Sequence, residues 1–386
     1  MAAEPPYVVL DIGGTTLRAG LYDPASGAVT HVRRQPAQGI GALPDAPVAE
    51  IQRLVTAQLG AEIDRLLATD AGRRARGIAI AFAGPVDITG RVITAPTVWG
   101  RRAAPLPLRE LLESRHGLPV LVVNDLTAAT WRYATPDSAP FCLLTVSSGI
   151  GNKVFRDGRV LLDRDGHGGE LGHWRCDFDP WAPLCDCGGR GHLGAIASGR
   201  GALAAARRAA TDYPGAFRAS SLAGATCEQA AAITNELLAA AVREGDAFAV
   251  NALKPGLHHL ARAISGVFTA IGVRRYIVIG GFALAIGPPY AELLATELER
   301  VGCFGLDRRE TRRMVRLGVR DDDSGLIGAG RALHAAARTA PEPADGPPGA
   351  APAAAAGIAA GTHPDTPRVE LPAAGEDRGD RVTSPT

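Results

Sequence analysis

Two aspartates close apolar runs: Asp11 precedes Gly13-Gly14-Thr15-Thr16, and Asp125 follows Leu121-Val122-Val123-Asn124. The glycine pair allows a tight turn between strands, and the backbone N–H groups and hydroxyls of Thr15 and Thr16 can face phosphate oxygens. A carboxylate at the strand end, Asp11, suits the orientation of hydrated magnesium. One such turn is also what an ordinary hairpin uses, and the pattern is neither the Walker loop nor the dinucleotide fingerprint. The chemistry recurs, however, in Ser147-Ser148-Gly149-Ile150-Gly151. A third turn, Gly280-Gly281, lets a nucleotide approach the backbone closely.

Asp125 stands where a strand ends and a helix begins, the position at which α/β folds collect ligand groups. A carboxylate there can take the proton of an acceptor hydroxyl during phosphoryl transfer, or it can simply cap the helix that follows. Lys153, one of only two lysines in the chain, lies just after the second loop. Its ammonium can hold a transferring phosphoryl group or an acidic substrate; the plainer alternative is a solvated surface lysine. The Cys185-Asp186-Cys187 cluster reads as metal ligation, with Cys176 as an alternative ligand and buried free thiols as the plain alternative.

These residues need strands ending in turns. Tyr7 to Gly14, Leu17 to Tyr22 and Ala28 to Arg33 read as consecutive strands joined by hairpins. Apolar residues from Ile51 to Leu67 recur at helical spacing, predicting an amphipathic helix from Val48 to Leu67. Gly77 to Ala83 and Val120 to Asn124 follow as strands, with helices over Leu108 to Arg115 and Leu126 to Tyr133. Phe141 to Ser148 and Tyr276 to Ile279 are further strands ending at the second and third turns, and an apolar helix runs from Leu326 to about Ala336. Two halves with parallel motifs predict a cleft between an N-terminal domain, 1–135, and a C-terminal domain, 136–338. The Pro/Ala-rich segment 339–386 has no periodicity and is expected to be a disordered tail.

With 386 residues and 46% hydrophobic content, the chain can bury substantial cores. A net charge of +1 gives no broad positive field, so a small molecule is expected as partner, with neither nucleic acid nor membrane. The first residues lack the basic and apolar regions of a signal peptide, so the cytoplasm is expected.

In the order and type of these motifs the chain resembles the ROK family, over roughly residues 7 to 337. That resemblance implies an α/β, two-domain actin-like (ribonuclease H-like) sugar-kinase fold with an interdomain cleft, and ATP with magnesium as cofactors. It implies that Asp11, Gly13, Gly14, Thr15, Thr16, Ser147, Ser148, Gly149, Gly280 and Gly281 serve the nucleotide, with Lys153 beside them. It makes Asp125 the general base, with Asn124 orienting the acceptor through its amide. Glu170, His173 and Thr97 join these two in binding the acceptor. His173, Cys185, Cys187 and His192 match the family's zinc positions, His192 replacing the usual cysteine, for a structural zinc. A homodimer is a further expectation from the resemblance.

One departure bears on the acceptor. Sugar kinases of the family usually carry a glutamate two residues after the last zinc ligand, where this chain has Gly194. Losing that hydrogen-bond acceptor should penalise an ordinary hexose. The expected acceptor is therefore a sugar-like cyclitol of the seven-carbon valiolone or valienol type, as in aminocyclitol antibiotic biosynthesis. A glucokinase or N-acyl-hexosamine kinase is the alternative. The family also contains sugar-responsive repressors, but those carry a helix-turn-helix before the first loop, and only six residues precede Tyr7 here. A non-catalytic sensor is disfavoured because Asp125 and all three turns are kept.

Overall fold

Two five-stranded sheets with the same internal order form the frame, as a computed structural model describes for residues 4–100, 103–135, 138–163 and 165–339. In the first half the order along the chain is β1 (Tyr7–Ile12), β2 (Thr16–Tyr22), β3 (Val29–Pro36), α1 (Val48–Leu67) and β4 (Ile78–Phe82). It continues with α2 (Leu108–His116), β5 (Val120–Asn124) and α3 (Asp125–Arg132). The sheet runs β3-β2-β1-β4-β5, antiparallel through the hairpins and parallel across β1, β4 and β5. β4 is buried along its whole length because helices cover both faces, which is why it reads as an unbroken apolar run. α1 contributes Ile51, Val55, Leu59, Ile63 and Leu66, a stripe at helical spacing that faces the sheet.

The second half repeats the pattern. It opens with β6 (Phe141–Val146), β7 (Ile150–Arg156) and β8 (Arg159–Val160), followed by short helices α4 (Leu193–Ala197), α5 (Gly199–Asp212), α6 (Pro214–Arg218), α7 (Ser221–Ala225) and α8 (Asn235–Arg243). The long α9 (Ala247–Ile271) leads to β9 (Tyr276–Ile279), α10 (Gly281–Ile286), α11 (Pro288–Val301), α12 (Arg308–Arg313), β10 (Val315–Leu317) and α13 (Ser324–Thr339). Its sheet order, β10-β9-β6-β7-β8, is the first order traced again. No described helix is long and apolar enough to cross a membrane. The tail expected from 339 onward lies, from residue 340, outside the described residues.

The last helix of each half also packs against the other half. Ala129 of α3 joins Phe141, Leu143, Phe155 and Ile277 of the second sheet. Leu326, Ala329 and Leu333 of α13 join Tyr7, Val9, Ala79 and Ala81 of the first. α3 and α13 pack on each other along their length. A Cβ on Gly328 would lie 1.7 Å from the Ala128 carbonyl oxygen, so only a glycine permits this approach. Gly328→Ala is expected to destabilise the protein by about 1–3 kcal/mol through overpacking, read from urea unfolding; an unchanged midpoint would show that the helices can part at no cost.

Candidate active site

The hairpin register sets the first half of the site. Asp11 of β1 pairs with Arg18 of β2, and the guanidinium reaches the carboxylate at 3.2 Å. The turn is closed by the Gly13 N–H donating to the Thr16 carbonyl at 3.0 Å, leaving Thr15 exposed at its tip. Gly14 is sterically required, since a Cβ there would come within 2.6 Å of the Thr97 carbonyl oxygen. The structure thus brings Thr97 against the first turn. It is not among the residues lining the cleft with Asp125.

At the end of β5, Asn124 rather than Asp125 is the helix cap. Its Oδ1 accepts from Leu126 N at 3.0 Å and Thr127 N at 3.3 Å, while its amide donates to the Gly84 carbonyl at 3.0 Å and to Asp125 Oδ1 at 2.8 Å. The capping alternative for Asp125 is therefore corrected: that work falls to its neighbour. The expectation that Asn124 orients the acceptor through its amide is also modified, because the amide hydrogens already hold Gly84 and Asp125. Asp125 itself faces an open cleft of about 370 Å³, together with Asn124, Thr145, Gly151, Lys153, His167 and Glu170 among others.

Lys153 is 5% exposed, so the surface-lysine alternative fails. Its strand, β7, turns it inward, and its Nζ donates to the Gly168 carbonyl. It shares the cleft with Asp125 and Glu170. Glu170 is held there by a residue that the sequence reading missed. Buried Asn152 accepts from Leu171 N through Oδ1 at 3.1 Å, and its own N–H donates to the Gly169 carbonyl at 3.3 Å. Gly169 and Gly172 leave no room for a Cβ against the carbonyls of Asn152 and Ile150, so the segment lies flat on β7. His167 was missed as well; its loop closes on the carbonyl of Asp163, and Gly166 of that loop packs against Val86 of the first half.

The second and third turns meet. Gly280 has φ +101°, and a Cβ on it would strike the backbone of Val146 at 2.6 Å, while a Cβ on Gly281 would lie 3.7 Å from Ser147 Oγ. Ser147 also accepts from Gly199 N at 2.8 Å, which brings in the start of α5, a partner absent from the sequence reading. Ser148 is exposed beside it, and a Cβ on Gly149 would meet open space, so that glycine is not demanded by packing.

Electrostatics distinguish the two aspartates. Burial pushes the Asp11 carboxyl up to about 6, against the opposing pull of Arg18; the Asp125 and Asp322 carboxylates add to the rise. Burial among the surrounding walls also raises Asp125, although its side chain meets solvent in the open cleft; hydrogen bonds from Leu126 N and Asn124 and the charge of Lys153 pull it back. Lys153 is lowered by burial and supported by Glu170 and Asp125.

Away from the cleft, His173, Cys185, Cys187 and His192 place one donor atom each within 4.8 Å of one another. Cys185 Sγ lies 3.8 Å from His173 Nδ1, and Cys187 Sγ lies 3.2 Å from His192 Nδ1. A tetrahedral zinc with bonds of about 2.0–2.3 Å requires donor separations of about 3.3–3.8 Å; the two sulfur–nitrogen pairs lie at about that spacing, and two thiolates with two imidazoles are a donor set that zinc takes. Cys176 is outside this group, buried in the core of the second half. His173 lies among these donor atoms and is not among the residues lining the cleft, and an ion pair from Asp186 to Arg200 ties the cluster to α5.

The ROK family profile matches residues 7–335. The chain is 52% identical over 334 residues to a C(7)-cyclitol 7-kinase of Streptomyces hygroscopicus subsp. jinggangensis, covering 86% of this chain and 95% of that one. An N-acetylmannosamine kinase of Salmonella arizonae is 36% identical over 206 residues, 52% of this chain and 64% of that relative. Among solved structures, the ROK hexokinase from Thermus thermophilus superposes with a TM-score of 0.63 at 26% identity, covering 84% of this chain and 97% of that one. The duplicated sheets and this likeness bear out the expected α/β, two-domain actin-like fold.

Because the folded Asp11 carboxyl titrates near 6 against an ordinary value of 3.8, its ionisation opposes folding above about pH 6 and has no effect below the unfolded value. Carboxyl-carbon NMR should give a midpoint near 6, and Arg18→Met should move it upward. Asp11→Asn should raise the urea midpoint at about pH 8, an advantage that fades as the pH falls toward about 4. An Asp11 midpoint in the ordinary carboxylate range would contradict the buried geometry.

Proposed function

The chain belongs to the ROK family, and from that premise we propose that it transfers the γ-phosphoryl group of ATP to the primary hydroxyl of a seven-carbon cyclitol, with Asp125 as general base. The observation that carries the reading is the 52% identity, over nearly the whole of both chains, to a C(7)-cyclitol 7-kinase. Enzymatic function as an ATP-dependent kinase follows from the family and that relative together.

Phosphoryl transfer asks the protein mainly for alignment, charge neutralisation and an acceptor for the hydroxyl proton. Asp125, ionised and aimed by the Asn124 amide, takes the proton from the acceptor oxygen as that oxygen attacks phosphorus. Burial raises its carboxyl, which makes the ionised group a stronger base than an ordinary aspartate. The Gly13–Thr16 and Ser147–Gly149 turns offer N–H groups and hydroxyls to the phosphates, and Gly280-Gly281 offers a bare backbone to the adenosine. Asp11 would hold magnesium through its waters, and the ion supplies neutralisation of the phosphate charge. His173, Cys185, Cys187 and His192 would hold a zinc whose part is structural, fixing the end of the segment that carries Glu170.

Gly194 supports a cyclitol over a hexose. It is buried, and a Cβ there would already lie 3.0 Å from the Gly172 carbonyl oxygen, so the chain lacks, and has little room for, the carboxylate that family sugar kinases usually carry at this position. The N-acetylmannosamine kinase likeness covers only about half of this chain and makes N-acyl hexosamines the comparison substrates. A cytoplasmic setting, where Mg-ATP is available, belongs to the same reading.

ADP release with Mg-ATP, measured on seven-carbon cyclitols, hexoses and N-acyl hexosamines, tests it. The cyclitols should give the highest kcat/KM, and Asp125→Ala should lower it about 10²–10⁴-fold. Efficient glucose turnover with cyclitols ignored would refute the acceptor assignment; an Asp125→Ala variant with full activity would refute the base. Elemental analysis of the purified protein should find one zinc per chain, reduced by Cys187→Ser, and a metal-free protein with the same fold would remove the zinc.

A further inference from the structure

Lys153 stands apart in composition and in place. The chain has 41 basic residues and only two are lysines, yet one of the two is buried in the cleft. A buried ammonium is costly unless it is paired and hydrogen-bonded. Here the Gly168 carbonyl accepts one of its three N–H bonds, and its charge interacts with Asp125 and Glu170. A guanidinium is a planar fork suited to one bidentate partner, whereas an ammonium is a compact point charge that can be shared among a carbonyl and two separate carboxylates.

We propose that Lys153 is the positioning residue of the base: anchored on Gly168, it links the Glu170 segment to Asp125 and keeps that carboxylate ionised and directed into the cleft. The assignment rests on the reading of Asp125 as base, and it gives Lys153 a place on the acceptor side rather than on the phosphate loop.

The surrounding charges leave this work to Lys153. From β1, Asp11 faces Asp125 and repels its negative charge. Arg18 from β2 is engaged with Asp11 at 3.2 Å and lies 3.9 Å from Asp322, in the segment before α13. From its own strand end, Asp125 receives only the neutral amide of Asn124, besides Leu126 N. His167 and Glu170 line the same cleft from the segment after β8. Among the described groups that interact with Asp125, Lys153 is the cation, and it opposes the burial of the carboxylate.

The experiment compares wild type with Lys153→Met, which keeps the apolar stem, and Lys153→Arg, which keeps the charge. In kcat/KM against pH, the methionine variant should move the acidic limb upward by about one unit, giving a deficit that approaches ten-fold on the acidic side of the limb and vanishes on the plateau above it. The arginine variant should keep the limb where wild type has it, whatever its rate. If Lys153→Met does not fold, Lys153→Gln makes the same test. Carboxyl-carbon NMR of Asp125 without substrate reads the same shift directly, so it decides the role of Lys153 even if no acceptor is turned over. An Asp125 titration and an acidic limb unmoved by loss of the charge would overturn the proposal; wild-type activity independent of Asp125 would instead overturn the kinase mechanism.

Discussion

The close crossing of α3 and α13 is the contact on which the rest of the site depends. With the Gly328 Cβ position 1.7 Å from the Ala128 carbonyl, the helices meet backbone to side, a contact that cannot be lengthened without losing packing on both. α3 carries Asp125 at its first turn, and its Ala129 lies in the core of the second sheet. α13 starts against Asp11, since a Cβ on Gly325 would come within 2.6 Å of that carboxylate, and its later residues lie in the core of the first sheet. The crossing therefore fixes where two carboxylates, one on β1 and one at the start of α3, sit relative to each other.

Those carboxylates are held near one another at a cost, and different means offset it. Asp11 is opposed by an arginine that the hairpin register places directly across the ladder. Asp125 has backbone and amide donors from its helix start and the charge of Lys153. Arg18 is shared with Asp322, and neighbouring Asp321 and Asp323 pair with Arg132 and Arg34, so the acidic run before α13 is tied to α3, β2 and β3 rather than left to add to the repulsion. What remains is a cleft floor with excess negative charge, an arrangement suited to a substrate that arrives with a divalent cation.

Much of this was legible in the sequence where local physics dominates. The α1 stripe, the fully apolar β4 and the turn glycines each follow from periodicity or from backbone sterics, and α1 and β5 begin and end where spacing predicts. The Arg18 partner of Asp11 was available from the register of a tight hairpin and was not drawn. The role of Asn152 was not legible, because it depends on the Gly169–Leu171 segment returning to β7 after an intervening strand and loop. For the same reason Lys153 could be read as exposed: its strand alternation gives a face, but which face meets the cleft depends on α3 packing across β7. The cap also went to Asn124 rather than Asp125, a distinction of one residue that φ and hydrogen bonds decide.

The Glu170 wall of the cleft is built on backbone that has little freedom. Asn152 clamps the Glu170 segment at one end, Gly169 and Gly172 press it onto β7, and the His173 end runs into the metal donors. A segment held in this way has little freedom to shift, so on the proposed reading the side chains that line the cleft, Lys153, His167 and Glu170 among them, would set the acceptor. Exchanges among them would change which hydroxyls find partners without altering the frame, and an unpaired buried polar group discriminates more sharply than a change in apolar shape. The frame itself is kept at 26% identity to a hexokinase, so the proposed difference in acceptor is sought in the side chains around Asp125 rather than in the fold.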